Sequence, residues 1–224
     1  MAGPRLVTLE QVEKHPMVRV FIEKANEHLA VLGFTEHEFR HCRLVANRAR
    51  KVLQELDGAS REAELAAIAG YLHDIGNVMG RREHDVAGAM IAMQILRELG
   101  MPLEEVAEII AAIGNHDEDE GQVVNRVSAA LILADKSDVH RGRVRNPDFA
   151  TFDIHDRVNY AVESSMLEVD PARRVITLSL QIDTAISQVM EYFEIFLTRM
   201  VMCRRAATFL RARFALIIND AELL

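Results

Sequence analysis

The chain has 224 residues, half of them hydrophobic and 27% charged, with only 11 glycines and 5 prolines. That suits one sizeable core, or a domain with an appendage, and argues against disorder. A net charge of −8 gives no general pull toward nucleic acid or anionic lipid, no apolar run reaches the roughly 18 residues of a membrane span, and Cys42 and Cys203 make no disulfide-stapled scaffold.

The N-terminal stretch "MAGPRLVTLEQVEKHP" lacks an apolar core after a basic start, so no signal peptide is expected and a cytoplasmic home is the simplest expectation. "PMVRVFIEKANEHLAVLG" (16–33) has apolar residues at helical spacing and ends at Gly33. Thr35 and Glu38 read as a capping box opening a helix that closes at Gly58. "SREAELAAIAGYLHDIG" predicts a helix from Ser60 to Gly76. Further helices are predicted over 82–100, from Pro102 through "EEVAEIIAAIGNH", and over 125–140. The texture then changes. "RGRVRNPDF" (141–149) is basic and turn-like, while 159–169 and 174–182 are β-branched, partly alternating and separated by Asp170-Pro171, which predicts a β-hairpin. Asp183 or Thr184 is expected to cap "AISQVMEYFEIFLTRMVM", with a further helix to about Phe214. The expected architecture is mostly α: a helical bundle over residues 1–148 and a small α/β appendage, hairpin plus helices, over 149–224. The last long helix is apolar enough to need a partner, within the chain or from a second copy, so a homodimer or output role is expected of this unit.

Helical spacing identifies which polar groups face inward. His41 shares a face with Val45, Ala49 and Val52, and His84 with Gly88, Ile91 and Ile95. His73 follows Ala66 and Ala69, His116 follows Ile109 and Ile113, and Asp135 follows Ser128 and Leu131 in the same way. Five helices thus each aim a His or Asp toward the core near one end. Buried imidazoles and carboxylates are costly unless partnered, and a metal is the economical common partner. A thiolate-free His/Asp set suits Fe, Mn, Zn, Co or Mg, and six groups exceed the needs of one tetrahedral ion, so two divalent ions are expected. Asp74 has two oxygens and can serve both.

His41, His73-Asp74, His84, His116 and Asp135 follow the ordered pattern H…HD…H…H…D, in the segments "FRHCRLVANRA", "AGYLHDIGN", "EHDVAGAMIA", "IIAAIGNHDED" and "LILADKSD". Over roughly Thr35 to Arg145 the sequence resembles the HD-domain superfamily of metal-dependent phosphohydrolases. The resemblance implies that His41, His73, Asp74 and Asp135 hold one metal, and that Asp74, His84 and His116 hold a second. It also implies a hydroxide between the ions as nucleophile and a small phosphorylated, nucleotide-like substrate. Lys136, beside Asp135, is the first candidate for neutralising phosphoryl charge; Arg81, Arg82 and Arg141 are the substrate-binding candidates. Asn77 stands where some relatives carry lysine. The acidic run "DEDEG" (117–121) is read as a solvated loop, and neither His37 nor His155-Asp156 is read as part of the site. Two rivals share the ligand set: a diiron oxygenase and a non-enzymatic metal or ligand sensor.

Overall fold

A computed structural model describes residues 6–58, 60–118 and 121–223. The N-terminal helices are α1 (Leu9–Glu13), α2 (Pro16–Val31), α3 (Phe39–Asp57), α4 (Ser60–Leu72), α5 (His84–Glu98), α6 (Leu103–Ile113) and α7 (Arg126–Lys136). There follow α8 (Ile154–Ala161), β1 (Val162–Asp170), β2 (Val175–Ile182), α9 (Val189–Phe209), β3 (Arg213–Ile218) and β4 (Ala221–Glu222).

The bundle is organised around two helices buried on nearly every side. In α4 every residue from Leu65 to Leu72 is buried, and in α7 every residue from Val127 to Ala134. Their small residues permit this. A Cβ added at Gly70 would stand 3.0 Å from the backbone of Ala46, so α4 and α3 lie nearly in backbone contact there. Around this pair, α3 turns Val45, Ala49, Val52 and Leu56 inward and Arg40 and Arg43 outward. It stops at Gly58, whose φ of 66° is the left-handed conformation a helix C-terminus favours.

The C-terminal strands form one sheet in the order β1-β2-β3-β4. β1 and β2 are an antiparallel hairpin, β2 and β3 run parallel, and β4 returns antiparallel. A parallel pair needs a crossover, and α9 provides it. Along β2, Ile176, Leu178, Leu180 and Ile182 are buried, as the alternation predicts. The same apolar cluster takes in Val45 of α3, Leu131 of α7, Leu178 of β2 and Met200 of α9. Arg48 of α3 also donates to the Ser137 hydroxyl and to the Ser165 carbonyl of β1. Among the described residues no helix is long and apolar enough to cross a membrane.

Several sequence expectations need correction. The helix expected to Phe214 ends at Phe209; Arg211 turns at φ 57° and Arg213–Ile218 is a strand. A short apolar run such as "FALII", buried at every position but Ile217, cannot be told from buried helix by periodicity. Residues 183–187 form a turn, and the cap of α9 is the Gln188–Glu191 box rather than Asp183 or Thr184. No Thr35–Glu38 box forms, because the Glu38 side chain accepts from Asn26 instead. The helix expected to reach Gly76 breaks at Leu72, and Ile75–Val78 is a 3-10 turn. Two helices, α1 and α8, have no counterpart among the expected elements.

Candidate metal centre

The ends of five helices meet at one place. His41 comes from the first turn of α3, the His73-Asp74 pair from the break after α4, His84 from the first residue of α5, His116 from just beyond α6, and Asp135 from the last turn of α7. The break after α4 is held against α5 by glycine. A Cβ at Gly76 would lie 1.9 Å from the His84 carbonyl oxygen and 2.4 Å from the Gly88 nitrogen, so any side chain there would drive Asp74 and His84 apart. Gly76 is therefore a close-approach residue and not a helix stop.

The carboxylate of Asp74 lies between two pairs of imidazoles. Its Oδ2 is 3.1 Å from His73 Nε2 and 3.5 Å from His41 Nε2; its Oδ1 is 3.4 Å from His84 Nε2 and 3.9 Å from His116 Nε2. Asp135 Oδ1 is 3.5 Å from both His41 Nε2 and His73 Nε2. Those two nitrogens are 3.2 Å apart.

The donor set passes a geometric test for metal. Ligands about 2.1 Å from one ion sit roughly 3.0–3.4 Å apart at right or tetrahedral angles. The separations around His41, His73, Asp74 and Asp135 fall close to that range, and those around Asp74, His84 and His116 are somewhat looser. The second test is the far side of each ring. His41 Nδ1 is 2.7 Å from Asp138 Oδ2, and His73, His84 and His116 place Nδ1 2.9, 3.0 and 2.6 Å from the carbonyls of Gly70, Arg81 and Ile113. All four rings are thus anchored through Nδ1 and present Nε2 to the centre, the arrangement that orients metal-binding histidines. Three groups drawn from these six residues could each hold an ion.

Electrostatics support the same reading. Burial would raise the Asp74 and Asp135 carboxyls, but the His73 charge and hydrogen bonds from His116 and His41 around Asp74, and Lys136, His41 and His73 around Asp135, hold both well below the usual range. Burial and Arg143 push the His41 imidazole down, yet hydrogen bonds to Asp135, Asp138 and Asp74 carry it up to about 9. Burial likewise opposes His73, which Asp74 and Asp135 carry up to about 10. Without a cation the carboxylates gather protons onto their neighbours, and a metal would displace them.

The surroundings add His37, Glu118 and Arg199, which spacing did not reveal, and give Asn77, Lys136 and Asp138 definite partners. Asn77 is buried and donates to Asp74 Oδ1 at 2.9 Å and to the Asp74 carbonyl at 3.0 Å, so it fixes the carboxylate from behind. Asp138, bonded to His41, is itself held by Arg40 at 3.0 Å. His37 places Nε2 3.7 Å from Asp74 Oδ2; burial drives its imidazole well below the ordinary histidine value, so it is neutral, and Arg143 donates to its Nε2. Lys136 is buried and bridges Asp135 at 2.9 Å and Glu118 at 2.5 Å. Glu118 in turn takes Arg199 of α9 at 2.8 Å. The acidic loop is thus not a solvated one at Glu118, because two cations capture that carboxylate; Asp119 and Glu120 lie outside the described residues. Only the position of Arg199 within the apolar middle of α9, between Ile195 and Cys203, could have hinted at it.

Of the arginines singled out in the sequence, Arg81 reaches the centre, with Nη1 3.1 Å from His84 Nε2 and 3.7 Å from Asp74 Oδ1. Arg82 is exposed and lies 3.8 Å from Glu83. Arg141 pairs with Glu163 at 3.1 Å and covers the Tyr160 ring.

A cavity of about 390 Å³ adjoins the centre, with His37, Arg81, Arg143, Glu118 and Arg199 in its lining. Its outer part comes from the α2–α3 loop, α8 and α9, including His155-Asp156.

Comparison with known proteins agrees with this geometry. An uncharacterized protein of Methanocaldococcus jannaschii is 27% identical over 214 residues, covering 84% of this chain and 81% of that relative. The family model described as HD domain matches residues 39–141, a segment that begins with α3 and contains all six converging side chains. Residues 39–141 of this chain are an HD domain, the fold of a superfamily of metal-dependent hydrolases.

Proposed function

We propose that the protein is a metal-dependent phosphohydrolase that binds two divalent ions and cleaves a small phosphomonoester or phosphodiester, nucleotide-like in kind. One observation carries the reading: the two oxygens of Asp74 face different imidazole pairs, and every one of those rings is anchored on its far side. Two ions so held would lower the pKa of a shared water and draw charge from the phosphoryl oxygens. In this reading His41, His73, Asp74 and Asp135 hold the first ion, and Asp74, His84 and His116 the second. Lys136 fixes Asp135 while staying close enough to the centre to offset negative charge. Arg81, set against His84 and Asp74, would offset charge on the phosphoryl group beside the second ion. Arg82, on the same exposed turn, and Arg141 serve as outer substrate contacts. The protein works in the cytoplasm, and the exposed Met190 and Leu197 of α9 offer a face for a second copy.

The test is hydrolysis of a panel of phosphate esters by protein loaded with Mn, Fe, Co, Zn or Mg. Turnover that vanishes in Asp74→Ala, together with two ions per chain by elemental analysis, is expected. Turnover that survives Asp74→Ala refutes the metal mechanism. Iron-loaded protein that shows a mixed-valence spin-resonance signal and consumes oxygen, with no ester cleavage, replaces the proposal with the oxygenase reading.

A further inference from the structure

Asp135 uses its two carboxylate oxygens differently. Oδ1 lies 3.5 Å from Nε2 of both His41 and His73, inside the converging group, while Oδ2 lies 2.9 Å from Lys136 Nζ. Lys136 therefore sets which oxygen faces the centre. Its side chain is only 4% exposed, and one carboxylate does not satisfy the three N–H donors of a buried ammonium. The second carboxylate is Glu118, whose Oε2 accepts from Nζ at 2.5 Å. Glu118 Oε1 in turn accepts from Arg199 Nε at 2.9 Å and lies 2.8 Å from Nη2. The row Asp135–Lys136–Glu118–Arg199 thus alternates in sign, and each carboxylate oxygen in it has its own partner. Burial would raise the Glu118 carboxyl and lower Lys136 and Arg199, but their opposite neighbours hold all three ionised.

The far end of the row is fixed by α9. The Arg199 guanidinium lies 4.6 Å from the centre of the Phe196 ring, one turn earlier, and Phe196 is buried. The packing of α9 therefore places Arg199, and α9 belongs to the C-terminal unit. The segment matching the HD domain ends at residue 141, so Arg199 lies outside it. Without Arg199, Glu118 would keep one bond, to Lys136, and both side chains would be free to turn. Asp135 Oδ2 would then lose its fixed partner. Among the described residues, no hydrogen bond or ion pair joins Lys136, Glu118 or Arg199 to Asp74, His84 or His116.

We propose that Glu118 and Arg199 are positioning residues for the first metal ion, the one assigned above to His41, His73, Asp74 and Asp135. They hold Lys136, Lys136 holds Asp135, and the C-terminal unit is thereby a component of that ion's site. The inference rests on the two-ion reading of the centre and needs no particular substrate. Anything that loosens α9 weakens the first ion and spares the second.

The test is calorimetric titration with Mn on the full chain. His84→Ala protein keeps the first group of ligands whole, and His41→Ala protein keeps the second. Arg199→Met, which retains an unbranched stem over Phe196, should weaken Mn about five-fold or more in the first background and less than about two-fold in the other. Glu118→Gln should act in the same way, and Arg199→Lys should recover most of the loss. In the chain with both groups whole, only one of two binding steps should change. Lys136→Met should itself weaken the first ion about 10–100-fold, and Arg199→Met should add nothing to it, because its effect passes through Lys136. Unchanged affinity in Arg199→Met, equal weakening of both ions, or a full further loss on top of Lys136→Met overturns the inference. A wild-type chain that binds no Mn overturns it together with the two-ion reading. The expected pattern of affinities without hydrolysis of any ester refutes the phosphohydrolase reading alone.

Discussion

Replacing Asn77 by alanine should separate metal affinity from stability. The side chain is buried, and its Nδ2 makes two hydrogen bonds, one to the Asp74 carboxylate and one to the Asp74 carbonyl. A bond to a charged group contributes about 1.5–3 kcal/mol and a neutral one about 0.5–1.5 kcal/mol. The same amide has a cost, because its Oδ1 is buried without a hydrogen-bond partner among the described residues. Removing that atom returns about 1–3 kcal/mol. The terms nearly offset, leaving a net loss of about 1 kcal/mol, or a Tm about 2–4 °C lower for a chain of this size. Metal binding has no such offset. Asp74 loses the group that fixes the carboxylate between the two imidazole pairs, and loss of a partner behind a ligand typically weakens metal affinity about 10–100-fold. Calorimetric titration with Mn or Co, beside thermal unfolding of the metal-free protein, reads both quantities. Unchanged metal affinity combined with a Tm drop above about 10 °C would show that Asn77 only braces the fold, and the account of Asp74 given above would be wrong.

Gly76→Ala should be far worse than its size suggests. The new methyl would meet backbone atoms that cannot rotate away, and a loss of about 3 kcal/mol or more is expected in urea unfolding; a native-like midpoint would contradict the packing described. Asp138→Asn leaves His41 Nδ1 without its carboxylate, and should weaken metal binding about ten-fold or more while the other three rings stay anchored. Equal affinity in both proteins would count against that coupling. The pH dependence has opposite signs with and without metal. Because the His41 and His73 values in the folded chain are raised to about 9 and about 10 from an ordinary 6.5, their stabilisation of the metal-free protein is complete below about pH 6.5 and is lost as pH rises toward 9 and 10. Metal must displace those protons, so metal affinity should climb over the same interval, with proton release visible as a buffer-dependent binding enthalpy. A binding enthalpy independent of buffer would refute this.

The six converging side chains were legible because each sits on a regular helix or within three residues of its end, where a 3.6-residue period still states which way it faces. The bundle was legible for the same reason: α3 and α6 are strongly one-sided. Legibility failed where the chain is irregular or buried on all sides. The break after Leu72 arises from the fit of Gly76 against α5, a contact between distant segments that no local pattern records. His37 lies on a loop whose course is set by Arg143, more than a hundred residues away, which donates to the Glu36 carbonyl. The strand β3 looked like the continuation of a helix, because an apolar run buried on both faces has no period to read. Glu118 looked like one acid among several until Lys136 and Arg199 were placed on either side of it.

Arg199 sits on the crossover between two parallel strands, and its partner Glu118 stands 81 positions earlier in the chain. That separation sets an order of events during synthesis. The ligand histidines and Asp135 leave the ribosome well before α9 does, so a nascent HD segment can meet metal while its acidic loop is still unclamped. The side of the cavity lined by Phe196 and Arg199 forms only when α9 docks, after all six of the converging residues have been made. Metal that arrives after α9 has docked meets a centre whose neighbouring carboxylate, Glu118, is already clamped between Lys136 and Arg199.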